Sequence, residues 1–384
     1  MRILTLSYEF PPLGGGGSKV VQGLSEEFVR RGHHVDVVTM AFRGLQKYEV
    51  QGGVRVHRVP CLRGSVDISH PYEQATYMMR ALPAAVRLAK VNDYDLMHCH
   101  FIIPDGLVAL AIRRRFRIPL VVTAHGSDVP GYNPDRFRIL HRLISPVWRA
   151  TARSIDTIAC PSRFLEELLL EREPAARTVA IPNGFDLDKF AATKSRTRSI
   201  LVVTRMLERK GVQDVVRALA GTDLGFEIHI VGTGPYLDTL KELARQLQVN
   251  ARFHGWLDNN SDELKALFET SAVFILPSHA ENFPLVLLEA MAAGMAIVTT
   301  GQTGCREVVG DAALLVPTGD ETAIRSALQQ LVSDADLRER LGRDARARIE
   351  NLFSWPSVAR QYMDLFERLL AERAPRERAR DGIT

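Results

Sequence analysis

The sequence predicts an α/β protein built from two doubly wound, Rossmann-like domains facing across a cleft. Three observations carry that expectation. Short β-type runs alternate with helical patterns along almost the whole chain. The strand candidates are continuous apolar runs, as in parallel sheets covered on both faces. The alternation pauses once, around residues 181–199, and then restarts, and 384 residues suffice for two full cores.

The first half begins with a strand at Ile3–Leu6, a glycine-rich loop, and a helix over about Ser18–Arg31. Strands follow at Val35–Thr39, Asp95–Cys99, Leu120–Thr123 and Thr157–Ala159, with helices at Tyr77–Val91, Gly106–Arg115 and Arg136–Arg153 between them. The pattern pauses at Ile181–Asp186, and the polar, aperiodic Ala191–Ser199 reads as an interdomain linker. Six further strands are expected at Ile200–Thr204, Glu227–Val231, Arg252–His254, Val273–Leu276, Ala296–Thr299 and Ala313–Val316. Helices are expected at Val212–Leu219, Tyr236–Leu247, Asp262–Thr270, Pro284–Ala293 and Glu321–Val332, and a last helix with an Arg/Glu-rich tail from about Ser354.

The net charge of +4 is too small to argue for nucleic acid, and no nucleic-acid partner is expected. The charge is unevenly placed, because residues 1–185 carry 24 Lys and Arg against 17 Asp and Glu while the remainder is slightly acidic. Four scattered cysteines read as reduced thiols of a cytoplasmic protein. The N-terminus is too short and too soon acidic to be a signal peptide, and no apolar run is long enough to span a bilayer.

In open α/β sheets, ligands bind beyond the carboxyl ends of the strands, so chemistry is sought there. Glu281-Asn282-Phe283-Pro284 opens a helix that runs through Glu289 and stops at Gly294. Pro284 suits the first helical position, and glycine suits the stop. A helix N-terminus attracts anions. Carboxylates at its rim and one turn inside can therefore flank a phosphate and bind hydroxyls on either side, as a nucleotide-sugar requires. Arg205 at a strand end and Lys210 before a helix bracket one loop and can neutralise a diphosphate. Gly14–Gly17 let a backbone approach a phosphate closely, although they do not spell a dinucleotide fingerprint. Gly232-Thr233-Gly234 reads better as a structural strand-to-helix turn. His125 closes a strand beside Gly126, where a substrate contact competes with a buried structural histidine. His98 and His100 share one strand face, but no third ligand supports a metal site, so no metal is expected and His100 reads as a cleft-edge residue. The basic runs Arg113–Arg117 and Arg136–Arg149 are either a solvated face or a surface for anionic lipid.

Together these residues resemble a family 4 retaining glycosyltransferase of the GT-B fold. The resemblance extends over nearly the whole chain. It includes the early Pro-Pro-Leu-Gly-Gly, Arg31-Gly32-His33, Ala124-His125-Gly126-Ser127-Asp128, Ile181-Pro182-Asn183-Gly184, Arg205 to Lys210-Gly211, Val231-Gly232-Thr233-Gly234-Pro235, and Glu281 to Glu289. It implies an acceptor-side domain over residues 1–187, a donor-binding domain over 188–355, and a helix over 356–384 that crosses back to the first domain. Arg205 and Lys210 would hold the donor diphosphate, with the amides of Gly15, Gly16, Leu285 and Val286. Glu289 would take the ribose, Glu281 the transferred sugar with the Asn282 and Phe283 backbone nearby, and His125 the reacting centre.

The implied activity moves a hexose from a nucleoside diphosphate sugar to a hydroxyl of a glycan, lipid-linked or small-molecule acceptor. Configuration is retained, and neither metal nor other cofactor is required. Such an enzyme would serve polysaccharide or glycolipid biosynthesis in the cytoplasm, with peripheral contact at the inner, anionic face of the membrane in prospect. Uracil, guanine and adenine remain open as the base. Two departures from the family pattern are Asn282, where many members carry glycine, and the longer glycine run. A nucleotide-sugar epimerase shares the architecture, but the Glu281/Glu289 spacing favours transfer. A non-catalytic binding protein would be expected to have lost part of the set.

Overall fold

The computed structural model of the chain describes residues 1–132, 138–190, 196–259, 261–281 and 283–381. It forms two compact units, one of residues 1–184 with 355–384, the other of residues 185–354.

The first unit holds eight strands: β1 (Arg2–Leu6), β2 (His34–Met40), β3 (Tyr48–Gln51), β4 (Val54–Val59), β5 (Leu96–His100), β6 (Leu120–Thr123), β7 (Thr157–Cys160) and β8 (Thr178–Ala180). Their order in the sheet is β3-β4-β2-β1-β5-β6-β7-β8, all parallel except the β3–β4 hairpin. The helices are α1 (Gly16–Arg30), α2 (Pro71–Val91), α3 (Leu107–Phe116), α4 (Arg138–Ser154) and α5 (Arg163–Arg172). Successive strand residues face opposite sides of the sheet. Leu4, Leu6 and Val122 therefore meet Tyr77 and Trp148 on one face, while Ile3, Val35 and Val121 meet Leu24 and Phe28 on the other.

The second unit holds β9 (Thr197–Val203), β10 (Glu227–Val231), β11 (Ala251–Gly255), β12 (Ser271–Leu276), β13 (Ala296–Thr300) and β14 (Leu314–Val316), in the order β11-β10-β9-β12-β13-β14, all parallel. Its helices are α6 (Val212–Leu219), α7 (Leu237–Gln246), α8 (Asp262–Thr270), α9 (Leu285–Ala292), α10 (Cys305–Val309), α11 (Glu321–Ser333) and α12 (Ala335–Leu352). Ile200, Val202 and Ile275 pack on Val215 and Leu328, while Leu201 and Phe274 pack on Phe268 and Leu288.

The last helix, α13 (Trp355–Asp381), returns to the first unit. Val358, Tyr362 and Phe366 bury themselves against Phe28 and Ile3, at about 1.5–3 kcal/mol for each large side chain.

Several expectations are corrected. The β3–β4 hairpin, α5, β8, α10 and α12 were not anticipated. Thr197–Ser199 belongs to β9 rather than to a linker, because its backbone pairs with both β10 and β12, and residues 191–195 lie outside the described residues. Pro284 is the N-cap of α9 with extended ψ, not its first helical residue. The helix stops as expected, because Gly294 takes φ +71° and its N–H reaches Met291 while that of Met295 reaches Ala290. Arg205 lies two residues beyond the end of β9 rather than within it.

Candidate active site

Each sheet has one place where consecutive strands leave in opposite directions, and there the loops splay apart. In the second unit it lies between β9 and β12. The loop after β9 carries Arg205 and ends in a 3-10 turn, Glu208–Lys210. Gly211 closes that turn at φ +70°, where a Cβ would stand 2.1 Å from the Pro277 carbonyl oxygen. The two loops are thus pressed together, and His279 secures them, its N–H donating to Arg209 O at 2.9 Å and its ring meeting Asp214 Oδ2 at 2.6 Å.

That contact brings Lys210 Nζ to Glu281 Oε1 at 2.5 Å, with the two side chains 15% and 12% exposed. The Glu281 carbonyl accepts from Gly304 N–H at 2.9 Å, which fixes its backbone. Glu289 projects from the second turn of α9 and pairs with Lys189, whose ammonium also lies 4.9 Å from the Phe190 ring centroid. The N–H groups of Leu285 and Val286, at the open end of α9, meet no acceptor among the described residues. Phe283 turns its ring edge-on to Phe353, 5.7 Å between centroids, and so packs, partly buried, against the core. Arg205 is exposed and makes no ion pair among the described residues. Asn282 lies outside them. Gly232-Thr233-Gly234 is structural, because Thr233 O receives Met206 N–H and a Cβ at Gly232 would strike Thr204 O.

In the first unit the corresponding place lies between β1 and β5. Gly15 caps α1, Gly16 is its first residue, and the space beside Gly15 is open. The glycine that touches a candidate side chain is Gly17, where a Cβ would stand 3.4 Å from His125 Nδ1 and 3.1 Å from Phe101 Cζ. Glu9 takes the Gly15 amide with its carboxyl, whose pKa burial raises against the opposing pull of Arg63 and that amide. His125 stands beyond β6, half-buried, and Asp128 sets its backbone by accepting from His125 N–H at 2.9 Å and from Ile102 N–H at 2.8 Å.

His125 Nε2 meets His100 Nδ1 at 3.0 Å. One turn of the pleat back, His98 Nε2 meets Thr123 Oγ1 at 2.9 Å, and Thr123 Oγ1 meets Tyr362 OH at 2.8 Å. Burial pushes the pKa of His98 and of His125 down to about 3, and that of His100 well below its ordinary value, so all three rings are neutral near pH 7. Among the described residues no group of three His, Cys, Asp or Glu side chains is placed to hold a metal ion.

The basic runs are partly engaged. Arg113 and Arg373 share Asp156, and Arg153 pairs with Glu173. Arg114 and Arg115 are exposed. Arg136 and the side chains of Arg138, His141 and Arg142 lie outside the described residues. Sequence reasoning missed Lys189 and Glu9 and placed Gly17 only within the glycine run, and none of them carries a local signal of the contact it makes.

Two sheets of mainly parallel strands, each with polar groups gathered at its switch point, define a doubly wound α/β protein whose ligands are sought beyond the strand ends. Residues 14–189 match the model of Glycosyltransferase Family 4, and residues 185–348 match that of Glycosyl transferases group 1. The glycogen synthase of Mycobacterium tuberculosis is 30% identical, over 98% of this chain and 96% of its own. Among solved structures, the sucrose-phosphate synthase of Thermosynechococcus elongatus superposes with a TM-score of 0.78 at 24% identity, covering 97% of this chain and 100% of its own. HepE of Anabaena, solved in complex with UDP, gives 0.75 at 18% identity, covering 96% and 100%. The chain belongs to the family 4 glycosyltransferases of the GT-B fold.

Proposed function

We propose that the protein is a retaining hexosyltransferase that moves a sugar from a nucleoside diphosphate sugar to an acceptor hydroxyl without a metal ion. The contact between Lys210 and Glu281, beside the free amides of α9, carries this reading. It sets a cation, a carboxylate and a helix N-terminus around one spot at the switch point of the second sheet. Lys210 and Arg205 stabilise the charge that grows on the leaving diphosphate, the part a divalent ion plays elsewhere. Leu285 and Val286 N–H donate to its oxygens. Glu281 accepts from hydroxyls of the transferred sugar and Glu289 from the ribose, and the UDP bound by HepE supports a nucleotide as part of the donor.

The bond from the anomeric carbon to the phosphate oxygen breaks as the acceptor oxygen bonds on the same face. The acceptor's proton passes to the leaving phosphate. Gly16 lends a backbone donor to the phosphate, and so does Gly15 once its amide leaves the Glu9 carboxyl; the Asn282 and Phe283 backbone lines the sugar, and His125 serves the reacting centre. The exposed Arg114 and Arg115 offer a surface for peripheral contact with an anionic membrane, and a lipid-linked acceptor fits that surface. Vesicle binding that ignores both anionic lipid and salt removes this last element.

The test is incubation with UDP-, GDP- and ADP-sugars in chelator, with and without a panel of hydroxyl acceptors, followed by NMR of the product. A glycoside with the donor's anomeric configuration is expected. Inversion defeats the retaining mechanism. An epimer from donor alone, or binding without turnover, defeats transfer.

A further inference from the structure

We infer that His100 is a positioning residue that fixes His125 as the Nδ1–H tautomer, so that His125 offers a hydrogen-bond donor to its ligand rather than a base. The kinetic part of this inference rests on the transferase reading. The tautomer part does not.

The argument starts from the far side of His100. Its ring ends β5 at 0% exposure, and its Nε2 is buried with no hydrogen-bond partner among the described residues. Its Nδ1 lies 3.0 Å from His125 Nε2, the two rings nearly parallel at 23° with centroids 5.2 Å apart. His98 packs over the remaining face at 4.5 Å between centroids, while its own Nε2 is committed to Thr123. Both members of the pair are neutral, so each ring carries one proton, and the short contact needs one donor and one acceptor.

Two arrangements satisfy that contact. In one, His100 carries its proton on Nε2, which leaves an N–H buried without an acceptor. In the other, the proton is on Nδ1 and donates to His125, leaving only a lone pair unused at Nε2. Orphaned buried N–H groups are the rarer and costlier case. The second arrangement therefore prevails. His125 Nε2 must then be the acceptor, and the single proton of His125 is forced to Nδ1. That nitrogen lies on the ring edge facing the first turn of α1 at Gly17, and it has no protein partner among the described residues. Phe101 packs on the His125 ring at 4.4 Å, and Asp128 holds its backbone, so the N–H keeps its direction. The recognised chemistry is an oxygen acceptor, a hydroxyl or phosphoryl oxygen. Tyr362, through Thr123 and His98, fixes the packing behind the pair.

The experiment uses the full chain with 15N-labelled histidine and long-range 15N–1H correlation spectra, with His125 assigned by the signal lost in His125→Gln. The expected wild-type pattern is a protonated Nδ1 and a lone-pair Nε2 at His125. His100→Phe keeps the ring shape without the donor, so Nε2–H gains population and kcat falls by about tenfold to a hundredfold with little change in donor KM. His100→Asn places an amide N–H near the lost donor. It restores the tautomer and recovers most of the kcat lost in His100→Phe. A wild-type His125 protonated at Nε2 overturns the inference, as does an unchanged tautomer in His100→Phe, or equal losses in both variants. Should His100→Phe not fold, the wild-type spectrum and His100→Asn decide. If no donor is turned over, the transferase reading falls while the spectra still judge the tautomer.

Discussion

Replacing Lys210 with methionine tests the charge arrangement of the second unit most directly. The change keeps the aliphatic stem and removes the ammonium that lies 2.5 Å from Glu281 Oε1. Both side chains are mostly shielded, at 15% and 12% exposure, so the pair falls between two measured regimes. Exposed pairs contribute about 0–1 kcal/mol, and breaking a fully buried pair costs about 3–5 kcal/mol. A loss of about 1–2 kcal/mol in unfolding free energy is therefore expected. The effect on turnover is larger, because one preorganised group stabilising transition-state charge is worth about 10²–10³ in kcat.

Methionine also leaves Glu281 as an uncompensated anion where the diphosphate must bind, so nucleotide affinity falls for two reasons. Adding Glu281→Gln removes the second reason and should recover part of the affinity, although not the turnover. Urea unfolding, calorimetry with UDP, GDP and ADP, and initial rates with the best sugar donor give the three readouts. Nucleotide affinity and kcat within about twofold of wild type in Lys210→Met refute the clamp. Equal nucleotide affinities in the single and double variants refute the claim that an uncompensated Glu281 carboxylate opposes the nucleotide.

Three further outcomes are expected. Glu289→Gln weakens nucleoside diphosphate binding by about 1–2 kcal/mol and leaves pyrophosphate binding unchanged, and equal losses for both ligands contradict the ribose assignment. Gly211→Ala destabilises the protein by about 2–4 kcal/mol, because it adds a Cβ at 2.1 Å from Pro277 O in a φ +70° residue, and a change below about 0.5 kcal/mol in urea unfolding removes the close loop contact. Acid weakens the fold through the histidine cluster. A histidine whose folded pKa lies below the unfolded value of about 6.5 contributes stability that is present above that value and is lost as pH falls toward the folded one. His98, lowered to about 3, should alone cost about 2 kcal/mol between pH 7 and pH 5, and urea midpoints no steeper in wild type than in His98→Gln over that range sink this account.

The parallel strands were legible because burial on both faces makes them continuous apolar runs. Leu120–Thr123 and Glu227–Val231 were read to the residue. The missed hairpin had signals of its own, a Gly52-Gly53 turn and the alternation of Val54 and Val56 with Arg55 and His57. Leu337, Leu341, Ala345 and Ile349 likewise mark the buried stripe of α12 at four-residue spacing. β8 offered nothing, being three half-buried residues without alternation. In the candidate site, the residue types at the helix and loop starts were readable from local chemistry, but their partners were not. Lys210 reaches Glu281 across 71 positions and Lys189 reaches Glu289 across 100. Such pairings depend on which strands the sheet sets side by side, and strand order leaves no trace in periodicity. Gly17, rather than Gly15 or Gly16, touches His125 for the same reason, since the phase of α1 decides which glycine faces the ring.

The two switch points share a topology but differ in electrostatics. The second unit gathers formal charges, with Lys210 against Glu281, Lys189 against Glu289, and Arg205 unpaired among the described residues. The first unit gathers groups that burial keeps uncharged or presses toward neutrality. His98, His100 and His125 are pushed down, while Tyr8, Asp105 and Asp128 are pushed up, in each case with desolvation as the leading cause. A ligand that brings a diphosphate finds compensation among ammonium and guanidinium groups, whose charge is already in place. A ligand that brings only hydroxyls needs oriented donors and acceptors and gains nothing from net charge. On the proposed transferase reading, the charges of the second unit suit the anionic leaving group, while the neutral rings of the first suit oxygen acceptors that need orientation rather than charge. On this reasoning the first unit's histidines act through the direction of their N–H bonds. Substitutions that preserve that direction matter less than those that preserve only the ring.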